Sequence, residues 1–324
     1  MHNDEFFLQG YFRGLRLLRE TSGLSVEVLI YSWESTKEFE FQLSKISEAF
    51  GAVKMYSGPD LGFGTANNRL ASRASGRSLL ILSPDTEILN TSTLLKEKLN
   101  SDNSVIGLCQ TVGTQRTSYD PLRSTDIWFR ARHTDRNTRH LYVDGAGFII
   151  NRDVFERLGG FDENIFLFLE DIDLCLRAKA QGIRLHSTNA INIWHYQGAT
   201  VSGGGVAKEN RIETSGNRQM FATESAIYLG LKWYPVPLFA LWLLVFLMVM
   251  FAGIVLLTIT GRGRLALGQL KGLRRGLLKA VTHRRECRDA RRENPGVLKL
   301  LLTQGFKIPT QFRLLLKHGI PLQT

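Results

Sequence analysis

Residues 143–185 read VDGAGFIINRDVFERLGGFDENIFLFLEDIDLCLRAKAQGIRL. The small residues at 145–147 precede an apolar run that is typical of a buried strand, and a short helix after it is predicted to end at Gly159 and Gly160. Acidic residues then open a second helix, which is predicted to end near Gly182. Strands and helices that follow one another in this way predict an α/β domain.

The same alternation extends through residues 1 to about 230 and predicts a mostly parallel sheet flanked by helices. The predicted strands are Val26–Tyr31, Ala52–Tyr56, Leu79–Leu82, Val105–Leu108 and Gly147–Ile150. The predicted helices are Glu5–Glu20, Lys37–Phe50, Ala66–Ser75, Asp153–Leu158 and Asp171–Ala180. The run Thr111–His140 is polar, rich in arginine and without a regular period, so it is predicted to be a loop.

Length and composition set the broad class. The chain has 324 residues and 44% hydrophobic residues, which is enough for one large core or two modest ones. Its three cysteines, Cys109, Cys175 and Cys287, form no CxxC pair and have no zinc-type spacing. This pattern argues against a disulfide framework and favours a reducing compartment.

The acidic cluster at residues 170–173 is the first candidate for chemistry. Glu170, Asp171 and Asp173 open a predicted helix, and carboxylates are favoured at a helix N-terminus by its dipole. Capping is therefore the alternative explanation for all three residues. Asp173 is expected to be structural, because Arg177 lies four residues further along the same helix.

A second candidate site follows the strand that ends at Leu82. Residues 83–85 read Ser-Pro-Asp, and a carboxylate at the end of a strand can hold a divalent cation on a diphosphate. A glycine-containing turn upstream, with Gly62 and Gly64, leads into a helix that carries Asn68. A Pro-Asp pair after a strand is also common in ordinary turns, so this segment alone leaves both interpretations open.

Four motifs taken together resemble glycosyltransferase family 2, and specifically its rhamnosyltransferase-like branch, which has a GT-A fold. In order, they are GFGTANN with LSPD, then GAGFIINRDVFERLGGFDE, then FLEDIDLCLRAKAQGIRL, then WHYQGATV. The resemblance covers roughly residues 11–230. The family's C-terminal apolar segment and basic amphipathic tail also resemble residues 233 to about 280.

The resemblance implies a role for each matching residue. Asp171 matches the general base and Glu170 is its acidic neighbour, while Asp85 matches a ligand of Mn²⁺ or Mg²⁺. His195 matches a histidine that completes the metal shell in some relatives, although a lone histidine here is also consistent with an ordinary surface or core residue. The residues expected to bind the nucleotide-sugar donor are Asn68, Ser83, Asp85, Asp144, Gly145 and Ala146.

These roles agree with what sugar transfer with inversion requires. A carboxylate suffices to take a proton from the acceptor hydroxyl, and a positioned base contributes about 10²- to 10⁴-fold in rate. A divalent cation stabilises the leaving diphosphate by several kcal/mol. The resemblance implies a lipid-linked or polysaccharide acceptor, a deoxyhexose such as rhamnose from a dTDP donor, and a role in cell-surface glycan biosynthesis.

The chain departs from the family at its start. The first helix begins almost at once, so the family's first strand is not found, and Ser32 and Trp33 stand where Asp-Asn is expected. Nucleotide binding in the region of these two residues is therefore in question. The alternative function is a catalytically degenerate relative that acts as a membrane-bound scaffold in a polysaccharide-assembly complex.

The C-terminal third has a membrane character. The 24 residues from Val236 to Ile259 are apolar without interruption and would span about 36 Å as a helix, against roughly 30 Å of hydrocarbon. Residues 262–293 then carry eleven Lys or Arg and three acidic residues, a net charge of +8. Their near-helical spacing of leucines predicts an amphipathic helix on an anionic membrane surface.

A nucleic-acid partner is not expected, because residues 262–293 contain no Phe, Tyr or Trp for base stacking. The predicted division is a catalytic domain at 1–230, a membrane segment at 231–261 and a basic tail at 262–324. Nucleotide sugars are cytosolic, so the protein is expected at the cytoplasmic face of the inner membrane. Because the positive-inside rule places the basic tail on the same side, the apolar segment is predicted to be re-entrant or interfacial.

Overall fold

The structure is a computed structural model that describes residues 5–51, 53–95, 99, 103–112, 117–129, 131–132, 142–196 and 216–303. The chain divides into two compact units. The first comprises residues 1–123 and 140–213, and the second comprises residues 124–139 and 214–324. The division differs from the predicted boundary at residue 230, because the helix Gly216–Trp233 packs within the second unit.

Within the described residues, the first unit holds two complete sheets and part of a third. Its described strands are β1 (Val28–Trp33), β2 (Val53–Gly58), β3 (Ser78–Leu82), β4 (Thr86–Thr91), β5 (Ser104–Val112), β6 (Thr117–Tyr119), the start of β7 (Leu122–Thr125), β9 (Tyr142–Val143), β10 (Gly147–Asn151) and β11 (Arg184–His195). Strands β1 and β2 form a parallel pair. The larger sheet has the order β3-β10-β5-β11-β4, and β6 pairs with one end of β5.

Helices pack against the β1–β2 pair and the larger sheet and build the core. They are α1 (Glu5–Ser22), α2 (Lys37–Phe50), α3 (Phe63–Ala71), α4 (Arg152–Arg157) and α5 (Glu170–Ala180). Four apolar residues recur on one face of α1 and are each at most 4% exposed: Leu8, Phe12, Leu15 and Leu18. They pack in one core cluster with Ile88 of β4 and with Ile191 and Ile193 of β11. Burial of this face holds α1 against the sheet.

The predicted α/β class is confirmed, but the mostly parallel arrangement is wrong for the larger sheet. Only the β5–β11 pairing is parallel among its described pairings. Strand β10 runs antiparallel between β3 and β5, and β4 runs antiparallel to β11. The three residues between β3 and β4 are too few for the crossover that parallel strands require, so the chain reverses there.

The predicted strands and helices of the first unit are observed within a few residues of their expected bounds. Strands β4 and β11 were not predicted, because their alternating polar residues hide the apolar set. Part of the predicted loop at 111–140 is also extended: it contains β6, β7 and the two-residue strand β8 (Ala131–Arg132).

The β1–β2 pair and the larger sheet come close at the beginnings of β1 and β3. The side chain of Glu27, one residue before β1, accepts hydrogen bonds from the backbone N–H groups of Ser75 (2.5 Å) and Gly76 (2.8 Å). No backbone ladder joins β1 to β3 within the residues that the structure describes.

The second unit is mainly helical. Its helices are α6 (Gly216–Trp233), α7 (Val236–Ile259), α8 (Gly263–Thr282), α9 (Arg284–Glu293) and α10 (Gly296–Leu302). Its described part also includes residues 124–129 and β8, which pairs with Ser124 and Thr125 of β7. The apolar run and the basic region are therefore both helical, as predicted. Residues 304–324 of the predicted tail lie outside the described residues.

Glycines let α6 and α8 pack closely. A Cβ atom added at Gly272 of α8 would lie 2.5 Å from the carbonyl oxygen of Met220 and 2.8 Å from Cβ of Thr223. The side chain of Glu224, which is 2% exposed, forms ion pairs of 2.5 Å with both Arg275 and Lys279 of α8. These contacts attach the basic helix to α6 along its length.

Candidate active site

Asp85 lies in the turn that follows β3. It is 1% exposed, and its Oδ1 accepts a hydrogen bond of 2.5 Å from the hydroxyl of Ser83. The backbone of the same turn is held at both ends. The N–H of Ser83 donates to the carbonyl of Ala146 (2.9 Å), and the N–H of Tyr196 donates to the carbonyl of Asp85 (3.0 Å). The turn thus fixes one carboxylate between the ends of β3 and β11.

His195 is the last residue of β11 and faces Asp85. Its Nε2 lies 3.6 Å from Oδ1 of Asp85. The other ring nitrogen, Nδ1, is buried and has no hydrogen-bond partner among the described residues. An imidazole and a carboxylate at this separation fit two ligands of one divalent cation, with the remaining positions left for phosphate oxygens and water. No larger group of His, Cys, Asp and Glu suited to a metal occurs in the described part of the chain.

The turn at residues 144–146 connects this pair to Asp171. The N–H of Gly145 donates to Oδ2 of Asp171 (2.9 Å), and the N–H of Ala146 donates to Oδ1 of Asp144 (3.1 Å). Because the carbonyl of Ala146 also accepts from Ser83, one short turn contacts both acidic positions. Asp85, His195, Asp144 and Asp171 therefore lie around the ends of β3, β10 and β11.

The start of α5 holds its two acids in an unusual environment. Phe168 and Leu169, directly before the helix, both have positive φ angles, of 67° and 70°. Such backbone is costly for residues with side chains and is concentrated at functional sites. Oδ1 of Asp171 accepts from the N–H of Ile172 (2.8 Å), whereas Oε2 of Glu170 is buried and has no partner among the described residues.

Burial shifts the protonation of both acids toward neutral pH. Burial, with a smaller contribution from the Asp144 carboxylate, raises the pKa of Asp171 to about 7. Burial also raises the pKa of Glu170 to about 8, and the neighbouring Asp171 carboxylate adds to the shift. A carboxyl group with a pKa near neutrality is a stronger base than an ordinary carboxylate and still ionises at physiological pH.

Asp173 has the structural role that the sequence predicts. It is fully buried, and its Oδ2 accepts from Nε of Arg177 (2.9 Å). Arg177 also donates to the carbonyls of Leu158 and Gly160. This network connects α5 to the loop after α4.

Asn68 is engaged elsewhere. Its Nδ2 donates to the carbonyl of Phe161 (2.9 Å) and its Oδ1 accepts from the N–H of the same residue (2.9 Å). These contacts connect α3 to the segment before α5, and they are structural. The predicted part of Asn68 in donor binding stays a prediction.

Arg123 was missed by the sequence reasoning. Its Nε lies 3.9 Å from Oδ2 of Asp144, and its side chain is 12% exposed. The residue lies in β7, inside the run that was predicted to be a loop, so its position beside the acidic turn had no sequence signal. A guanidinium here places positive charge beside the Asp144 carboxylate. Of the last motif, residues 197–201 lie outside the described residues.

Comparison with known proteins gives this site a family context. The family model described as "Glycosyltransferase like family 2" matches residues 78–211. The chain is 30% identical over 202 residues to the O-antigen biosynthesis protein RfbC of Myxococcus xanthus, which covers 57% of this chain and 16% of that protein. It is 42% identical over 52 residues to the rhamnosyltransferase WbbL of Escherichia coli K12, which covers 16% of this chain and 20% of that protein. The matches thus span a fifth or less of these curated relatives.

Solved structures show weaker likeness. The mannosyltransferase PcManGT from Pyrobaculum calidifontis, in complex with GDP-Man and Mn²⁺, has a TM-score of 0.47 and 12% identity, with 93% of this chain and 85% of that chain covered. S. aureus TarS has a TM-score of 0.48 and 14% identity, with 71% and 38% covered. The family assignment therefore depends on the sequence matches and not on these structures. Residues 78–211 of this chain therefore match glycosyltransferase family 2, and the two relatives support its rhamnosyltransferase-like branch.

Proposed function

We propose that this chain transfers a sugar, with inversion, from a nucleotide-sugar donor to a hydroxyl group of a lipid-linked or polysaccharide acceptor in cell-surface glycan biosynthesis. The observation that carries the proposal is the position of Asp171. Its carboxylate is held by the N–H groups of Gly145 and Ile172, and its pKa is raised to about 7. The same turn contacts the segment that holds Asp85 beside His195.

Asp171 is the proposed general base. Two backbone hydrogen bonds orient its carboxylate, and burial strengthens it as a base toward the acceptor hydroxyl. Glu170 is proposed to stay protonated at neutral pH, because burial and the neighbouring Asp171 carboxylate disfavour a second charge. The proton leaves the acceptor as its oxygen attacks the anomeric carbon, and the diphosphate departs from the opposite face.

Asp85 and His195 are proposed to hold a divalent cation, Mn²⁺ or Mg²⁺. When bound, such a cation supplies neutralisation of the charge that develops on a leaving diphosphate. The hydroxyl of Ser83 fixes the Asp85 carboxylate, and Nε2 of His195 lies 3.6 Å from Oδ1 of that carboxylate. Asp144, Gly145 and Ala146 are proposed to contact the donor sugar.

Rhamnose from a dTDP donor is the proposed donor sugar. Support comes from the match to a protein named rhamnosyltransferase and from the branch resemblance. The proposed location is the cytoplasmic face of the inner membrane, where nucleotide sugars occur. Two observations support this location. Among the described residues, one helix, Val236–Ile259, is long and apolar enough to cross a membrane. The chain also matches a protein of O-antigen biosynthesis.

The test is turnover with a panel of donors. Detergent-purified full-length chain is incubated with dTDP-rhamnose, UDP-GlcNAc, UDP-glucose or GDP-mannose and with Mn²⁺ or Mg²⁺, and the released nucleoside diphosphate is measured. Asp171→Asn is expected to lower turnover by about 10²- to 10⁴-fold. Asp153→Asn, an exposed carboxylate on α4, is the matched control and is expected to leave turnover unchanged.

A second candidate is the catalytically degenerate scaffold. Ser32 and Trp33 at the end of β1, and the lack of a ladder between β1 and β3 in the described residues, favour it. Calorimetric titration with the same donors separates the two functions. If no donor is bound or turned over with either cation, sugar transfer is rejected and the scaffold function remains.

A further inference from the structure

Helix α7 exposes one apolar stripe along its whole length. Six large apolar residues recur at spacings of three and four and are between 40% and 73% exposed: Leu241, Leu244, Met248, Phe251, Val255 and Ile259. The opposite face is buried at Phe239, Trp242 and Phe246, each at most 8% exposed. The helix therefore has a protein-facing side and an outward side, although its sequence is apolar all round.

The buried side of α7 is anchored within the second unit. Nε1 of Trp242 donates to the carbonyl of Ile127 (2.8 Å), and the rings of Trp242 and Trp128 lie 5.6 Å apart. The hydroxyl of Tyr234 donates to the same carbonyl (2.8 Å). Helix α7 is therefore fixed to its neighbours rather than standing free of them.

Helix α7 lies lengthwise beside α6 and α8. An added Cβ atom at Gly230 of α6 would touch the Trp242 ring at 2.9 Å, and one at Gly253 of α7 would lie 3.8 Å from the Gln269 side chain of α8. Gln269 lies level with Gln219 of α6, 3.5 Å away. Trp242 and Gly253 are about 16 Å apart along α7, as are Gln219 and Gly230 along α6. The helix thus runs antiparallel to α6 and α8 between these points.

This packing argues against a crossing by α7. If α7 crossed a bilayer, α8 would pass through the hydrocarbon beside it. Five cationic residues of α8, from Arg264 to Lys279, extend over about 22 Å of helix, against roughly 30 Å of hydrocarbon. Each costs about 2.5–3.5 kcal/mol at the bilayer centre. Only Arg275 and Lys279 have an ion-pair partner, Glu224, among the described contacts of α8.

Helix α8 has its small residues inside and its large apolar residues outside. Ala266, Gly268, Gly272, Gly276 and Ala280 are its buried residues. Five others are between 37% and 70% exposed: Leu267, Leu270, Leu277, Leu278 and Val281. Arg264, Lys271 and Arg274 lie exposed among them. A helix with leucines and cations together on its outer face fits the boundary between acyl chains and anionic headgroups.

We propose that α7 and α8 form a monotopic membrane-binding face, which lies in the plane of an anionic bilayer and does not cross it. The outward apolar residues enter the boundary region to about 5–10 Å, while the cations contact lipid phosphates. The residues before and after α7 stay on one side of the membrane. A second copy of the chain is a poorer occupant, because a symmetric contact would oppose Arg264, Lys271 and Arg274 with the same cations. The inference holds whether or not the chain transfers a sugar.

Labelling from one side of the membrane tests the topology. Full-length chain carrying Ser72→Cys, Thr260→Cys or Thr282→Cys, all exposed positions, is produced in inside-out and right-side-out vesicles of the expression host. A membrane-impermeant maleimide is added, and the unsubstituted chain corrects for labelling of the three native cysteines. All three positions are expected to label in the same vesicle orientation. The proposal would be overturned if Ser72→Cys were labelled in one vesicle orientation, and Thr260→Cys and Thr282→Cys only in the other.

Depth measurement tests the orientation of α7 directly. Spin labels are attached in turn to Leu241→Cys, Met248→Cys and Val255→Cys in full-length chain bound to phosphatidylcholine–phosphatidylglycerol vesicles. Accessibility to oxygen and to a water-soluble nickel complex is expected to give one similar, shallow depth at all three positions. A label at position 248 that lies deeper than the labels at 241 and 255 would indicate a crossing. A dimer in which none of the three labels contacts lipid would indicate that a second copy covers this face. Either result rejects the membrane-plane arrangement.

Discussion

The raised pKa of Asp171 has opposite consequences for catalysis and for stability. A base must be deprotonated, so kcat/KM is expected to rise with pH through about 7 and then level off. The measurement is a pH–rate profile with the preferred donor. A profile that is flat between pH 5 and pH 9 would argue against Asp171 as the base.

The same shift predicts a pH-dependent effect on unfolding. The folded-state pKa of Asp171 is above its unfolded value, so the unfolded chain binds fewer protons between about pH 4 and pH 7. Stability contributed by this group is therefore lost as pH rises through that range. Asp171→Asn is expected to raise Tm more at pH 8 than at pH 5. Asp153→Asn, at an exposed position, should show no such difference.

Gly145 is predicted to set the position of the base. A Cβ atom added there would lie 3.2 Å from Oδ2 and 3.3 Å from Cβ of Asp171, so Gly145→Ala must displace the carboxylate or the turn. A displacement of about 1 Å can lower the rate by about 10²-fold. The expected result is a fall in kcat. Gly263→Ala, where an added Cβ meets no atom within 4 Å, is the control.

His195 is predicted to contribute to cation binding rather than to the fold. Loss of an outer-shell partner of a ligand weakens metal affinity by about 10- to 100-fold, and loss of the ligand itself is expected to weaken it at least as much. His195→Ala should therefore raise the Mn²⁺ concentration needed for half-maximal donor binding, as measured by calorimetry. His283→Ala, in the cap of α8, provides a histidine control outside the site. An unchanged Mn²⁺ requirement would remove His195 from the proposed metal shell.

At the scale of elements, the close contact between α6 and α8 predicts a size limit. Gly272→Leu would place a side chain against the carbonyl of Met220 and Cβ of Thr223, and overpacking of this kind costs about 1–3 kcal/mol. A lower Tm by differential scanning calorimetry is expected. Lys271→Leu introduces the same side chain one position away, on the exposed face, and should not lower Tm.

The elements that sequence predicts well are those with a strong apolar period or clear end signals. Helix α2 begins and ends as predicted, since Thr36 accepts from the N–H of Phe39 and Gly51 closes the helix. Strand β11 pairs on both sides, and a strand in that position is usually a continuous apolar run. Its sequence instead carries polar residues throughout, so it was not predicted. The direction of β10 was also not predictable, because strand polarity depends on contacts with distant strands rather than on local sequence.

For the candidate site, residue types were predictable and their surroundings were not. The sequence indicates Asp85, Asp171 and His195, and it separates Asp173 as structural through its spacing to Arg177. It gives no sign that Gly145 contacts Asp171, that Arg123 lies beside Asp144, or that the backbone before Glu170 has positive φ angles. Those features arise from packing between segments that are far apart in the chain.

At the scale of the whole molecule, charge predicts how the protein responds to lipid composition and salt. A Lys or Arg near an anionic surface contributes about 1 kcal/mol, so Arg274→Gln is expected to weaken binding to phosphatidylglycerol-containing vesicles by about fivefold. Binding should also weaken as NaCl increases, because salt screens the attraction. Vesicle cosedimentation measures both effects. Lys45→Gln, an exposed residue of α2, is the charge-matched control.

The outward leucines of α8 carry a kinetic consequence. A catalyst that rests on a bilayer meets a lipid-linked acceptor by lateral diffusion in two dimensions, so its velocity follows the mole fraction of acceptor among the lipids. Adding inert lipid at a fixed total amount of acceptor should then slow the reaction, as in surface dilution. The velocity with a water-soluble acceptor fragment should not change on the same dilution.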